Sequence, residues 1–100
     1  MGDGAMLSAM YQHGPLACSM FAHVDAFENY QGGIISDPTH FSPGNTTHVI
    51  RLVGWGEEKG VKYWIGRNSY TANWGMSGDF YIARGNNTLN IESHCGWVEV

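Results

Sequence analysis

The pattern of apolar positions divides the chain into a helical start and a strand-rich remainder. Apolar residues at helical spacing predict a short helix over residues 5–12, which the His-Gly-Pro sequence at residues 13–15 ends. Residues 16–24 are mostly apolar and predict a strand, and residues 25–30 predict one helical turn. Residues 36–47, rich in proline, glycine and asparagine, predict a loop.

The second half of the chain alternates strand-like runs with glycine-marked turns. The pattern predicts strands over residues 48–55, 61–67 and 79–84, the first two joined as a hairpin by a turn at residues 56–60. Loops are predicted at 68–78 and 85–89, an irregular stretch at 90–95 and a last strand at 97–100. The predicted class is α+β and mainly β, with an antiparallel, barrel-like sheet and a short N-terminal helix.

Length and composition fit one domain. The chain has 100 residues, of which 43% are hydrophobic, so it can build a core.

A net charge of −4 without a run of lysine or arginine argues against a nucleic-acid partner. No apolar run approaches the roughly 18 residues of a membrane span, which argues against a membrane partner, and no signal-peptide pattern is visible. Only 14% of residues are charged, which favours either a partly interfacial surface or one rich in glycine, asparagine, serine and threonine.

The cysteines and two N-glycosylation acceptor sequences are relevant to the cellular compartment of the protein. Cys18 and Cys95 are an even count, which is compatible with one disulfide or with two free thiols. Asn45 and Asn86 each begin an N-glycosylation acceptor sequence, a hint of secretory passage. The five histidines show no metal-ligand spacing, so we predict neither a metal site nor a cofactor.

Four ordered motifs resemble the papain-like cysteine peptidase family. Residues 63–80 read YWIGRNSYTANWGMSGDF, which is similar to the family pattern Y-W-x-x-[KR]-N-S-W-G-x-x-W-G-x-x-G-[YFW]. Residues 48–56, HVIRLVGWG, resemble the histidine-bearing segment, and residues 14–16 and 30–34 resemble G-P-[VI] and Y-x-x-G-[IV]. The combination spans nearly the whole chain and is highly specific.

The resemblance implies a fold and a set of site residues. It implies that residues 1–100 are the C-terminal, right-hand β-barrel domain of a papain-like peptidase, with peptide substrate lying between this domain and a second one. It gives His48 the role of general base and Asn68 that of orienting the imidazole ring. It places Trp74 in the substrate cleft and Tyr70 over the histidine–asparagine pair. The two catalytic positions lie at the start of one hairpin strand and just past the end of its partner, which an antiparallel pair brings together.

The nucleophilic cysteine of the family has no counterpart here. The family places it about 130–150 residues before the histidine, in the N-terminal domain. We therefore expect the chain alone to be inactive and the N-terminal peptidase domain to be a partner. Tyr70 and Thr71 replace a family tryptophan and glycine, which keeps open the alternative of a non-catalytic binding module or pseudoenzyme. Self-association through apolar surface meant for the missing domain is a further expectation.

The C-terminal sequence indicates a branch of the family. The ending NIESHC at residues 90–95, and a cysteine three residues after Pro15, resemble the cathepsin X branch. That resemblance implies a Cys18–Cys95 disulfide and a lysosomal or secreted location.

Overall fold

The computed structural model describes residues 2–22, 24–37, 46–68 and 78–97. The helices are α1 (Asp3–His13) and α2 (Asp25–Glu28), and a 3₁₀ turn covers Thr88–Asn90. The strands are β1 (Leu16–Met20), β2 (Ile34–Ile35), β3 (His48–Glu58), β4 (Val61–Arg67), β5 (Asp79–Ala83) and β6 (His94–Trp97). The predicted α+β, mainly β class with a short N-terminal helix is confirmed, and no described helix is long and apolar enough to cross a membrane.

The strands form one six-stranded sheet in the order β2-β5-β4-β3-β1-β6. Its neighbours pair antiparallel, as predicted, except β2 and β5 at one edge, which are parallel. Strand β2 has only two residues, too few to leave a periodic signal in the sequence. Within the described residues the outer strands β2 and β6 do not pair with each other, so the barrel-like sheet is open.

The central hairpin is longer than predicted. Its turn is Lys59-Gly60, not residues 56–60, and pairing continues to Glu58 and Val61. Lys59 and Gly60 both have positive φ, 51° and 81°, as a two-residue type I′ hairpin turn requires. Gly56 belongs to β3, where it pairs with Tyr63, and glycine is needed there because a Cβ would meet the Tyr63 hydroxyl at 2.6 Å.

The bounds of β1 and β6, the first and last strands along the chain, also differ from the prediction. Strand β1 ends at Met20 rather than at residue 24, since the next amide, of Phe21, donates to the carbonyl of Leu89 at 2.8 Å. Strand β6 begins at His94, in the stretch predicted to be irregular, because it pairs with β1. The predicted last strand at residues 97–100 overlaps β6 only at Trp97, and residues 98–100 lie outside the described residues.

The core lies beneath one face of the sheet, where the side chains of α1, α2 and the 3₁₀ turn cover it. Trp64 and Phe80 are fully buried. Tyr63 is half-buried on the outer face, stacked on Tyr81 at 4.5 Å between ring centroids. The largest fully buried side chains are Trp64, Phe27, Phe80, Met6, Leu16, Met20, Leu52, Ile82, Leu89 and Ile91.

A buried carboxylate organises the turn after β5. Glu92 is only 4% exposed, and its oxygens accept from the Trp64 indole N–H at 2.9 Å and from the amides of Gly85 and Asn87 at 2.7 and 3.0 Å. Its own amide donates to the Asn87 side-chain oxygen at 2.9 Å. These bonds tie the C-terminal segment to the central tryptophan of the core.

The disulfide implied by the resemblance is present. Cys18 and Cys95 are directly opposite each other on β1 and β6, and their sulfurs are bonded. The bridge joins positions 77 residues apart, which in the loop-entropy account stabilises the fold by about 4 kcal/mol. It also leaves the chain without a free thiol, because the sequence has only these two cysteines.

Candidate active site

The sheet register brings His48 and Asn68 to the same end of the central hairpin. His48 is the first residue of β3, and Asn68 directly follows β4. Arg51 pairs with Arg67, so continuing the register by one residue places Asn68 opposite Ile50. His48 is then the diagonal neighbour of Asn68 on the same face, within reach of long side chains. The juxtaposition predicted from the sequence is therefore a consequence of the β3–β4 pairing.

The two side chains are joined by a hydrogen bond. His48 Nε2 lies 2.7 Å from Asn68 Oδ1. An amide oxygen only accepts, so Nε2 carries the hydrogen and donates. In the neutral ring the lone pair then belongs to Nδ1, which is the nitrogen able to take up a proton. The bond thus selects the imidazole tautomer, as a third catalytic group does for a histidine base.

A buried aromatic side chain lies against the imidazole. The rings of Phe27 and His48 meet edge-on, with centroids 6.0 Å apart and an interplanar angle of 60°. Phe27 is fully buried and packs in turn on Phe80 at 5.2 Å. Since the core fixes Phe27, it limits the positions open to the His48 ring on that side.

The backbone before His48 is held by two hydrogen bonds. The Thr47 amide donates to the carbonyl of Met20 at 2.9 Å, and the Thr47 hydroxyl accepts from the Ala22 amide at 3.0 Å. Strand β1 also pairs Met20 with His48. Thr47 therefore secures the entry into β3.

A backbone hydrogen bond to the segment before β5 fixes the position of Asn68. Asn68 is 7% exposed, and its backbone amide donates to the carbonyl of Gly78 at 2.9 Å, just before β5. Gly78 has a φ of 93°, in the region that favours glycine. The amide-to-carbonyl bond closes the base of the connection between β4 and β5, and so fixes Asn68 beneath the imidazole.

The remaining residues predicted from the sequence to belong to a site fall partly outside the described residues. The cleft candidates Trp74 and Tyr70, with Thr71 and the acceptor Asn45, lie outside the described residues. Asn86, the other glycosylation candidate, is exposed in the turn after β5. Among the described residues no group of three or more His, Cys, Asp and Glu side chains could hold a metal ion.

Two supports of the site were not predicted from the sequence. Phe27 lies within the predicted helical turn of residues 25–30, and nothing in its local pattern points to His48. The Thr47 hydroxyl bond to Ala22 joins residues 25 apart along the chain. Contacts of this kind depend on tertiary packing, and a local sequence pattern carries no record of them. Thr47, directly before His48, was the one local signal of such a support.

The arrangement can perform one part of a hydrolytic reaction. An oriented imidazole with a basic Nδ1 can accept a proton from a nucleophile and return it to a leaving group. The chain has no thiol to activate, since both cysteines are in the disulfide. The site therefore joins an oriented imidazole to an asparagine side chain, and neither cysteine of this chain is a free thiol.

Comparison with known proteins gives one consistent result. Residues 2–98 match the family model described as papain family cysteine protease. The chain is 40% identical over 103 residues to cathepsin Z of Onchocerca volvulus, covering 94% of this chain and 32% of that protein. It is 43% identical over 90 residues to pro-cathepsin H of Bos taurus, covering 89% and 27% respectively.

Solved structures show the same likeness in three dimensions. A structure from a study of antibody cross-reactivity between the mite allergens Blo t 1 and Der p 1 superposes with a TM-score of 0.91 at 33% identity, covering 99% of this chain and 32% of that one. A digestive procathepsin L 3 of Tenebrio molitor larval midgut gives 0.88 at 28% identity, covering 98% and 32%. The chain thus spans about a third of the length of these relatives. On the family match and these relatives together, the chain belongs to the papain family of cysteine proteases.

Proposed function

We propose that this chain supplies the general base, His48, and its orienting group, Asn68, to a papain-like cysteine peptidase that hydrolyses peptide bonds. The observation that carries the proposal is the 2.7 Å contact between His48 Nε2 and Asn68 Oδ1. It leaves Nδ1 as the basic nitrogen of the neutral ring, and a cysteine thiol placed against Nδ1 would transfer its proton there. The resulting thiolate attacks the peptide carbonyl, and the imidazolium then protonates the leaving amine.

The proposal requires a second polypeptide region with the nucleophile. Both cysteines of the chain are bonded to each other, and the chain spans about a third of the relatives it matches. We propose that the nucleophile-bearing N-terminal peptidase domain is the partner, that peptide substrate lies between the two, and that the chain alone is inactive. Exposed apolar side chains such as Val49, 60% exposed, support such a partner, and self-association would cover the same surface.

The branch and the compartment are part of the proposal. The match to cathepsin Z of Onchocerca volvulus and the NIESHC ending support the cathepsin X branch, which is also called cathepsin Z. The disulfide supports an oxidising compartment, so we propose a lysosomal or secreted location.

A second candidate function has one observation in its favour. A domain whose cysteines are both in a disulfide has no thiol of its own, as expected of a non-catalytic binding module or pseudoenzyme derived from the peptidase. The two candidates differ in whether His48 supports hydrolysis once a nucleophile is supplied.

A graft tests the proposal directly. The chain would replace the matching third of the Onchocerca volvulus cathepsin Z, and hydrolysis of a peptide that the unaltered relative cleaves would be measured. We expect activity in the graft, lowered about 10³-fold or more by His48→Ala and unchanged by the remote variant Asn86→Gln. A folded graft with a labelled active-site thiol but no His48-dependent hydrolysis would support the non-catalytic module instead.

A further inference from the structure

Three residues other than glycine have a positive φ within residues 87–90, which form the left-handed turn after β5. Asn87, Leu89 and Asn90 have φ values of 52°, 51° and 61°, in the region that favours glycine. Asparagine adopts this conformation at little cost, whereas a bulky aliphatic residue rarely does. Leu89 is also fully buried, so the surrounding structure imposes its conformation.

Hydrogen bonds on both sides of the buried leucine hold the left-handed turn. The Asn90 amide donates to the carbonyl of Asn87, and the Ile91 amide donates to the carbonyl of Thr88, each at 3.0 Å. The Asn87 amide donates to the Glu92 carboxylate at 3.0 Å, and the Asn87 side-chain oxygen accepts from the Glu92 amide at 2.9 Å. A strained backbone persists only where such contacts fix it, and strain of this kind is concentrated at functional sites.

The carbonyl of Leu89 connects the left-handed turn to the end of β1. It accepts from the Phe21 amide at 2.8 Å. Phe21 directly follows Met20, the last residue of β1, and Met20 pairs with His48 on β3. The Leu89 carbonyl therefore fixes the direction in which the chain leaves β1, one residue beyond the partner of His48.

The residues after β1 transmit that restraint to the start of β3. The Ala22 amide donates to the Thr47 hydroxyl at 3.0 Å, and the Thr47 amide donates to the carbonyl of Met20 at 2.9 Å. Thr47 directly precedes His48. Since Phe21 lies between Met20 and Ala22, a displacement of its backbone alters both bonds to Thr47 and moves the residue before the imidazole.

We propose that Leu89 is a positioning residue for His48, which acts through its carbonyl on the Phe21 amide and depends on the positive φ values of the left-handed turn. The inference rests on the proposed function for its effect on hydrolysis, because a small displacement of a catalytic group lowers the rate steeply. The effect of the turn on the His48 ring itself requires no activity and is measured in the chain alone.

A matched pair of variants at Asn87 tests the role of the turn. Asn87→Gly and Asn87→Val remove the same side-chain hydrogen bonds, but only glycine adopts a φ of 52° without cost. We expect Asn87→Val to speed hydrogen exchange of the Phe21 amide about tenfold or more, and to shift the His48 ring signals in long-range proton–nitrogen spectra. Asn87→Gly should keep the wild-type His48 signals. Asn87→Ala disfavours the same φ more mildly and gives the same comparison where the valine variant does not fold.

Lys59→Val controls for a general loss of stability. Lys59 has a φ of 51° in the β3–β4 turn, so valine is strained there to a similar degree. This turn lies at the opposite end of the hairpin from His48. Lys59→Val should therefore leave the Phe21 exchange rate and the His48 ring signals unchanged. A His48 shift as large as that of Asn87→Val would overturn the inference.

The graft separates this inference from the proposed function. Asn87→Val should lower kcat about 10- to 10²-fold at unchanged KM, because the turn acts on the imidazole and not on the bound peptide. An inactive unaltered graft would refute the proposed function, whereas equal His48 signals in the Asn87→Val and wild-type chains would overturn the inference. Equal shifts of the His48 signals in Asn87→Gly and Asn87→Val would overturn it too, since the positive φ would then have no part.

Discussion

His48 and Asn68 are 20 residues apart in the chain and share a hydrogen bond of 2.7 Å between Nε2 and Oδ1. The bond forms because β3 begins at His48 and β4 ends just before Asn68, and the two strands pair antiparallel in a fixed register. Phe27 lies against the ring from the core, and Thr47 and Gly78 hold the backbone on either side. The orientation of the imidazole is thus set by the fold of this chain alone.

Removing the Asn68 acceptor should release the imidazole tautomer. In Asn68→Ala we expect the hydrogen to divide between Nε2 and Nδ1, because the Oδ1 acceptor that favours Nε2–H is then absent. Long-range proton–nitrogen spectra of the His48 ring measure this in the chain itself. In the graft the same variant should lower kcat/KM by roughly 10²- to 10⁴-fold. A variant that keeps the wild-type tautomer and rate would show that Asn68 does not orient the ring.

Breaking the disulfide should destabilise the chain strongly. Reduction of Cys18–Cys95 removes a crosslink that closes most of the chain, so we expect the free energy of unfolding to fall by about 4 kcal/mol. Urea titration with and without dithiothreitol measures the change. The double variant Cys18→Ala/Cys95→Ala should match the reduced wild type and be insensitive to the reductant. An unchanged urea midpoint on reduction would contradict the stabilising role.

Truncating the buried carboxylate should also be costly. Glu92→Ala leaves the Trp64 indole N–H and the amides of Gly85 and Asn87 without their acceptor. Unsatisfied buried donors predict a loss of about 2–4 kcal/mol in the free energy of unfolding. Glu92→Gln keeps one acceptor oxygen and should lose less. Urea titration followed by tryptophan fluorescence compares them, and equal stability of wild type and Glu92→Ala would refute the assignment.

The exposed acceptor Asn86 should carry a glycan when the chain passes through a secretory pathway. Asn86 lies in the turn that follows β5. The opposite end of β5, at Asp79, pairs with Arg67, which directly precedes Asn68. A glycan at Asn86 would therefore project from the end of the sheet away from the candidate site. We expect a mass shift on enzymatic deglycosylation of material secreted from eukaryotic cells.

Single variants separate the two acceptor sequences. Asn86→Gln should remove one glycan, and Asn45→Gln reports on the other acceptor in the same assay. Secreted protein with no deglycosylation shift at Asn86 would show that the acceptor is not used.

The sequence predicted those features that depend on local pattern or on specific motifs. Helix α1, the β3–β4 hairpin and β5 follow from spacing and turn residues, and the neighbourhood of His48 and Asn68 follows from the hairpin. The parallel strand β2 and the early start of β6 did not, because their partners are remote in the chain. The pairing of Arg51 with Arg67 likewise did not follow, since cross-strand neighbours depend on a register that the sequence alone does not state.

The reactivity of the nucleophilic thiol in the graft tests the central claim most directly. If His48 accepts the thiol proton, the thiolate forms well below the ordinary cysteine pKa of about 8.5, and alkylation by iodoacetamide stays fast at acidic pH. The account predicts that this acidic reactivity is lost in His48→Ala and weakened in Asn68→Ala, while Asn86→Gln keeps it. An alkylation profile that is the same in His48→Ala as in the unaltered graft would contradict the account.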